Sequence, residues 1–212
     1  MKSQKGKIAS LIWQAKNTLY MIVQLKEPME LVIGKFVKLK YKDVERAYTV
    51  CNQEKTDMLE IFIKLKEGGK MSENFKMARV GDEMEVIGPF KEVEFKTKKV
   101  LAIAGGSGMA AFISLLRENE KTRERKIMAF ISAKRLIEVG FLGELLRLKK
   151  SKVIITLTRE KVEGFESGRI DKKMIEKYVK PEDYTIFVCG PKNFTKAIGD
   201  MLKEYKPHLM MW

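Results

Sequence analysis

The 212-residue sequence holds only two cysteines and one histidine. Cys51 and Cys189 are too few for a disulfide framework and show no paired-cysteine metal spacing, so a reducing, cytoplasmic setting is expected. His208 alone leaves little room for a histidine-based zinc site or a Ser-His-Asp triad. No apolar run is long enough to span a bilayer, and the opening "MKSQKGKIAS" lacks the apolar middle of a secretory signal. There is no internal repeat, no low-complexity segment and no aromatic-and-basic stripe of the kind single-stranded nucleic acid requires. Neither a nucleic-acid partner nor a membrane span is expected, and no oligomeric state is legible.

Acid is scarce too: 42 Lys+Arg stand against 28 Asp+Glu, a net charge of +14. Such an excess either steers acidic partners or keeps the surface solvated. What the chain has in ordinary supply is apolar residues, 45% of the total. At this length that builds a real core, in one large domain or two small ones.

The two halves follow different patterns. Up to about residue 95 the chain reads as six short strands: "KIASLIWQ", "TLYMIVQLK", "GKFVKLKY", "RAYTVCN", "MLEIFIKLK" and "DEMEVIGPF". The tripeptide "AKN" and the polar segment "QEKTD" read as connections, and the whole as an antiparallel barrel or sandwich. From Lys98 continuous apolar runs ending in glycine or polar residues alternate with helical spacing. "KKVLAIAGG", "KIMAFISA", "KVIITLT" and "YTIFVCGP" read as buried parallel strands, and "MAAFISLLRENE", "FLGELLRLKK", "DKKMIEKYV" and "KNFTKAIGDMLKEY" as helices. Met109, Phe112, Ile113 and Leu116 mark one face of the first helix. The pattern predicts a doubly wound parallel sheet, with a boundary near "VEFKTKK", residues 93–99.

Several stretches carry chemistry. "LKEGGKMSENF", Leu65 to Phe75, sets two glycines and a lysine before a helix start: a plain turn, or a site where free backbone N–H groups meet an anion. "RAYT", Arg46 to Thr49, offers a guanidinium, a flat ring and a hydroxyl on one strand. "IAGGSGMAAF" places Gly105, Gly106 and Gly108 between a buried strand and a helix, as a pyrophosphate loop would, although Ala111 stands where the dinucleotide fingerprint has its third glycine. "VCGP" puts Cys189, Gly190 and Pro191 at a strand's carboxyl end, where open α/β sheets bind ligands.

In this order, "RAYT", "GGKMS", "GPF", "AGGSG" and "CGP" resemble the ferredoxin–NADP reductase superfamily, nearest its cytochrome b5 reductase-like branch, over nearly the whole chain. The resemblance implies an N-terminal antiparallel Greek-key β-barrel that binds flavin (residues 1–95) and a doubly wound parallel-sheet NAD(P)-binding domain (residues 96–212). It implies that Arg46 holds the flavin pyrophosphate, that Tyr48 packs on the isoalloxazine and that Thr49 hydrogen-bonds near flavin N5. Gly69, Lys70, Met71 and Ser72 would cradle the flavin phosphates through backbone N–H groups, and Ile63 to Leu65 would line the flavin. Gly105, Gly106, Ser107 and Gly108 would receive the nicotinamide nucleotide's pyrophosphate, and Cys189, Gly190 and Pro191 would border the nicotinamide. Thr49 and Cys189 would stand at the reacting centre.

The cofactor implied is FAD, with FMN as the alternative, and NAD(P)H is the co-substrate. Ala111 also replaces the proline that usually closes this family's glycine loop. No cysteine-rich iron–sulfur segment is present, so an outside acceptor is implied, an acidic ferredoxin or haem protein. A non-catalytic nucleotide-binding subunit, or an electron-transfer subunit of a larger redox complex, is the rival reading. Thr158 and Arg159 in "LTREK" and Arg169 in "SGR" resemble the 2′-phosphate site of NADPH users, although Asp171 stands where those enzymes often place a tyrosine. Trp212 is either an aromatic lid on the flavin or simply a chain end.

Overall fold

The computed structural model describes residues 2–15, 17–91 and 93–211, of which Ala15, Lys91 and Met211 are described as backbone only. The chain divides into two compact units, Met1–Glu94 and Phe95–Trp212.

The first unit is one curled antiparallel sheet of six strands: β1 (Lys2–Ala15), β2 (Thr18–Leu31), β3 (Lys35–Tyr41), β4 (Val44–Thr49), β5 (Glu54–Lys64) and β6 (Glu83–Lys91). Their order, β4-β3-β6-β1-β2-β5, puts β6 between two hairpins and returns β5 beside β2, a Greek-key path. A bridge between Val50 and Ile61, and the Cys51 N–H donating to the Glu60 carbonyl at 2.7 Å, bring the two edge strands together. The strands are six, as the sequence predicts, but β1 and β2 run 14 residues each rather than being short. Register shifts between Ile8 and Ser10, and between Gln24 and Met29, bend each long strand so that it can serve both sides of the curl. "QEKTD" is not simply a connection: Glu54, Lys55 and Thr56 pair with Leu31, Glu30 and Met29, and they are polar because this end of β5 is open to solvent.

Inside the curl lies a core that includes Leu19, Met21, Val37, Leu39 and Ile61, all 0% exposed. The short helix α1 (Lys70–Lys76) joins it through Met71 and Phe75, one turn apart on the same face. Seven residues are too few for a helix to be stable alone. Two buried anchors at roughly 1.5–3 kcal/mol each supply what propensity does not.

The second unit is a parallel sheet in the order β10-β9-β8-β7-β11-β12. Its strands are β7 (Lys99–Gly105), β8 (Lys126–Ala133), β9 (Ser151–Leu157), β10 (Glu166–Ser167), β11 (Thr185–Gly190) and β12 (His208–Met211), with helices α2 (Ala110–Thr122), α3 (Leu142–Leu145), α4 (Lys172–Glu176) and α5 (Lys192–Met201). From β7 the chain winds outward through β8 to β10, then crosses to β11 on β7's other side. The order therefore reverses between β7 and β11. α2 is buried almost all round, beyond the four-residue face read from its spacing.

One expectation is corrected here, and two strands, β10 and β12, add to what the sequence predicts. "FLGELLRLKK" yields only the four-residue α3: Phe141 precedes it in a left-handed conformation (φ 56°), and beyond the exposed Leu146 the N–H groups of Arg147 and Leu148 bond three residues back, to Glu144 and Leu145, so the helical ladder ends there. β10 was not expected. The tail "KPHLMMW" supplies β12, which pairs with β11 through Cys189↔Met210 and Gly190↔Met211, so it is a sheet strand rather than a loose end. Trp212 lies outside the described residues.

Candidate functional site

On β4, Arg46 pairs with Leu39 and Tyr48 with Val37 across β3. Cross-strand partners share a face, so Arg46 and Tyr48 lie on the core-facing side and Thr49, opposite Phe36, on the other. Tyr48 is half-buried and tilted against Phe75, ring centroids 5.9 Å apart. Phe75 also stacks on Tyr41 at 5.7 Å, and Tyr41 donates to Asp82 at 2.5 Å. This chain of contacts fixes the Tyr48 ring to α1 and β3. Burial pushes the Tyr48 phenol well above its ordinary range, against the opposing pull of Arg46, so the ring stays uncharged. The Arg46 side chain is exposed and donates to the Glu45 carbonyl at 2.7 Å.

At the start of α1, Gly68 takes a left-handed φ of +68° with open space around it, and Gly69 precedes the first helical residue. Gly69's N–H already donates to the Lys66 carbonyl at 3.2 Å, and the Ser72 hydroxyl accepts from the Lys66 N–H at 2.8 Å. No side chain caps the helix, and among the described residues nothing accepts the N–H groups of Lys70, Met71 and Ser72. The donors on offer are these three, narrower than the stretch from Gly69 expected from the sequence. The Met71 side chain is spent on the core, as are those of Ile63 and Leu65 at 4% and 5% exposure. Leu65 also commits its N–H to Asn17 at 2.8 Å. What this strand end can show a ligand is main chain rather than the side chains of Ile63 and Leu65.

In the second unit the carboxyl ends of β7 and β11 are adjacent, with Ala104 opposite Cys189. The sheet order reverses at this point, which is where such sheets bind ligands. A single 3-10 turn, Gly106–Met109, leads into α2. Gly106 has φ +55° and nothing within 4 Å of where a Cβ would stand, as a phosphate-approaching glycine should. A Cβ on Gly108 would stand 2.3 Å from the Cys189 carbonyl oxygen, so this loop and the end of β11 touch backbone to backbone. Ser107 is half-buried, Pro191 exposed and the Cys189 side chain fully buried. Sequence reasoning missed Phe75 and Phe194. Phe75 was legible as the i+4 partner of Met71; Phe194 shows itself only by lying on Gly105 and Gly190.

A further corner forms where β9 ends. Ser167 pairs with Leu157, and the Thr156 hydroxyl donates to the Gly168 carbonyl at 2.7 Å. This brings "LTR" and "SGR" side by side. The N–H groups of Thr158 and Arg159 donate to Ala133 and Lys134, which places them at the end of β8. Arg159 and Arg169 are exposed, and among the described residues no carboxylate pairs with either. Asp171 caps α4, accepting from the Met174 N–H at 2.7 Å, which gives its residue type a local reason.

Elsewhere on the first unit, a groove of about 930 Å³ holds none of these residues. Its walls include Lys5 and Glu83, paired at 3.1 Å, and Lys40 and Glu85, 3.9 Å apart; it is solvated surface.

Uncommitted N–H groups at α1 with an exposed guanidinium on β4 suit one phosphorylated cofactor, and an open glycine at the reversal of the second sheet suits another. The comparisons agree. A model of oxidoreductase FAD-binding domains matches residues 7–95, and a model of oxidoreductase NAD-binding domains matches residues 102–200. NADH-cytochrome b5 reductase 2 of Meyerozyma guilliermondii is 28% identical over 207 residues, covering 87% of this chain and 70% of that protein. The reductase component of propane 2-monooxygenase from Mycolicibacterium smegmatis is 30% identical over 171 residues, covering 73% of this chain and 49% of its own. Among solved structures, a ferredoxin NADP+ reductase from Neisseria gonorrhoeae with bound FAD and NADP superposes with a TM-score of 0.88 at 20% identity, over 100% of this chain and 98% of that one. No helix among the described residues is long and apolar enough to cross a membrane. The two domain models in this order, the reductase relatives and the shared fold establish that the chain belongs to the ferredoxin–NADP reductase superfamily, in its cytochrome b5 reductase-like branch.

Proposed function

We propose that this protein is a cytoplasmic NAD(P)H-dependent flavoprotein reductase that delivers electrons to an acidic redox protein. The observation that carries the reading is the pair of phosphate-ready sites, one in each matched domain. When bound, FAD supplies the redox chemistry, taking a hydride from the nicotinamide and releasing electrons singly or as a pair.

The chain's own residues bind and orient. Arg46 pairs with the flavin pyrophosphate, and the N–H groups of Lys70, Met71 and Ser72 donate to the same phosphates. Tyr48, held by Phe75, offers a neutral ring face to the isoalloxazine; Thr49 lies on the other face of β4 but is its last residue, so its hydroxyl would reach N5 only past the strand end. The Gly105–Gly108 turn admits the nucleotide's pyrophosphate, Gly106 being its open point. Cys189, Gly190 and Pro191 border the nicotinamide, with Cys189 acting from behind through packing, since its thiol is covered. No general base is required, which suits a chain whose one histidine is exposed and stacked on Phe187 at 4.8 Å. The relatives named for cytochrome b5, and a flavohemoprotein of Dictyostelium discoideum at 29% identity, support a haem protein as acceptor; a ferredoxin is the alternative.

The unpaired Arg159 and Arg169 favour NADPH over NADH, because only NADPH carries the 2′-phosphate. Arg159→Ala is expected to raise KM for NADPH about five- to tenfold and leave KM for NADH within about twofold. Steady-state kinetics with both nucleotides check this. An equal effect on both would move Arg159 to the shared pyrophosphate or out of the site.

A further inference from the structure

Gly105 and Gly190 end the neighbouring strands β7 and β11, and neither faces open space. A Cβ on Gly105 would meet three Phe194 ring atoms, Cδ1 and Cγ at 2.8 Å and Cδ2 at 3.0 Å. A Cβ on Gly190 would meet Phe194 Cδ1 at 2.7 Å and the Gly105 carbonyl oxygen at 3.1 Å. Similar distances to three adjacent ring atoms mean that the ring presents its face to Gly105. One aromatic ring thus covers both glycines.

The ring is held in place. Phe194 lies in the first turn of α5 and is half-buried against the core of the second unit. Its neighbour Thr195 is 0% exposed; its hydroxyl donates to the Gly190 carbonyl at 3.1 Å and its N–H to the Pro191 carbonyl at 2.9 Å. Gly190 is therefore pinned by Thr195 through its carbonyl and covered by Phe194. Gly106 provides the contrast, with a left-handed φ of +55° and free space where a side chain would be. Of the glycines read from the sequence as ligand-binding, Gly106 is open toward a ligand, whereas Gly105 and Gly190 are small to make room for Phe194.

We infer that Phe194 is a positioning residue that sets the spacing between the β7–α2 and β11–α5 turns, and so sets how well the protein holds NAD(P)H. The inference rests on the proposed nucleotide site and adds a residue to it. Phe194 acts through the two glycines, by keeping both turns at one separation; a smaller side chain would let them close or drift.

The test is a double-mutant cycle on the flavin-loaded protein, with NADPH as reductant and ferricyanide as acceptor, reading KM, kcat, flavin content and Tm for Phe194→Ala, Phe194→Leu, Gly105→Ala and the doubles of Gly105→Ala with each. Phe194→Ala is expected to raise KM about tenfold, by a larger factor than it lowers kcat, and Phe194→Leu to raise it less. Gly105→Ala should raise KM by pushing the ring away, and each double should have a lower KM than Gly105→Ala alone, because the added methyl regains room. Should Phe194→Ala fail to retain flavin, the Phe194→Leu arm decides by the same criterion. Additive effects on KM, or a fall in Tm with KM unchanged in both single variants at position 194, would overturn the inference. A wild-type protein that NADPH does not reduce would instead overturn the function on which it rests.

Discussion

Arg46→Ala is expected to yield a folded protein that purifies without its flavin. The Arg46 side chain is exposed on β4, and its one described bond, at 2.7 Å, goes to the adjoining Glu45 carbonyl. Removing it therefore leaves the barrel core of Leu39, Val37 and Phe75 intact. The bound cofactor would lose a charge-assisted partner for its pyrophosphate, about 2–3 kcal/mol, or roughly 30- to 150-fold in Kd. Arg46→Lys should recover only part of this, since a point charge does not reproduce the two-pronged guanidinium contact. Flavin per chain from the visible absorbance, and FAD titration of the apoprotein with Tm as the folding control, check the expectation. Full flavin occupancy in Arg46→Ala would show that the phosphate lies elsewhere.

Gly108→Ala should separate flavin binding from flavin reduction. The new Cβ would stand 2.3 Å from the Cys189 carbonyl oxygen, 2.5 Å from its carbon and 2.8 Å from the Gly190 Cα. All three are backbone atoms, so no side chain can swing away, and the β7–α2 turn must move off the end of β11. A displacement of about 1 Å at a reacting centre costs on the order of 100-fold in rate. Flavin content should stay at the wild-type level, because Gly108 belongs to the second unit. Reduction by NADPH at subsaturating concentration should slow by about that factor, while dithionite bleaches the flavin normally. Gly106→Ala is the comparison: its Cβ meets nothing, and the cost is backbone strain of about 1–2 kcal/mol at positive φ. Stopped-flow traces of Gly108→Ala that match wild type would remove the β7–α2 turn from the nucleotide site.

What the sequence conveyed well was local backbone demand. "GGKMS" and "AGGSG" were legible because adjacent glycines before a helix start are a local signal of tight or left-handed backbone, which Gly68 and Gly106 supply here. The six barrel strands and four of the parallel strands were legible from alternation and from continuous apolar runs. Features that depend on partners distant in sequence were hidden. β12 is a strand only because β11 offers it an edge. α3 is short because its bonding tightens to three residues at Arg147 and Leu148, which their residue types do not announce. Within the candidate site, the residue types offered to a ligand were legible, but not which atoms remain free. The Gly69 N–H is already spent on Lys66, the Met71 side chain on the core, and Gly105 and Gly190 on Phe194. Phe194 itself follows "CGP" as an ordinary helical residue, and only the crowding around those glycines reveals it.

The central claim is that one chain binds flavin in its first unit and lets NAD(P)H reduce it through its second. It is tested most directly on the purified protein under anaerobic conditions. The flavin released by heat is identified by mass spectrometry, and the visible spectrum of the intact protein is followed as NADPH or NADH is added. The account predicts a yellow protein that releases FAD at about one per chain and bleaches on addition of either nucleotide, faster with NADPH. A colourless protein that takes up neither FAD nor FMN, or a flavin that neither nucleotide reduces, would contradict it.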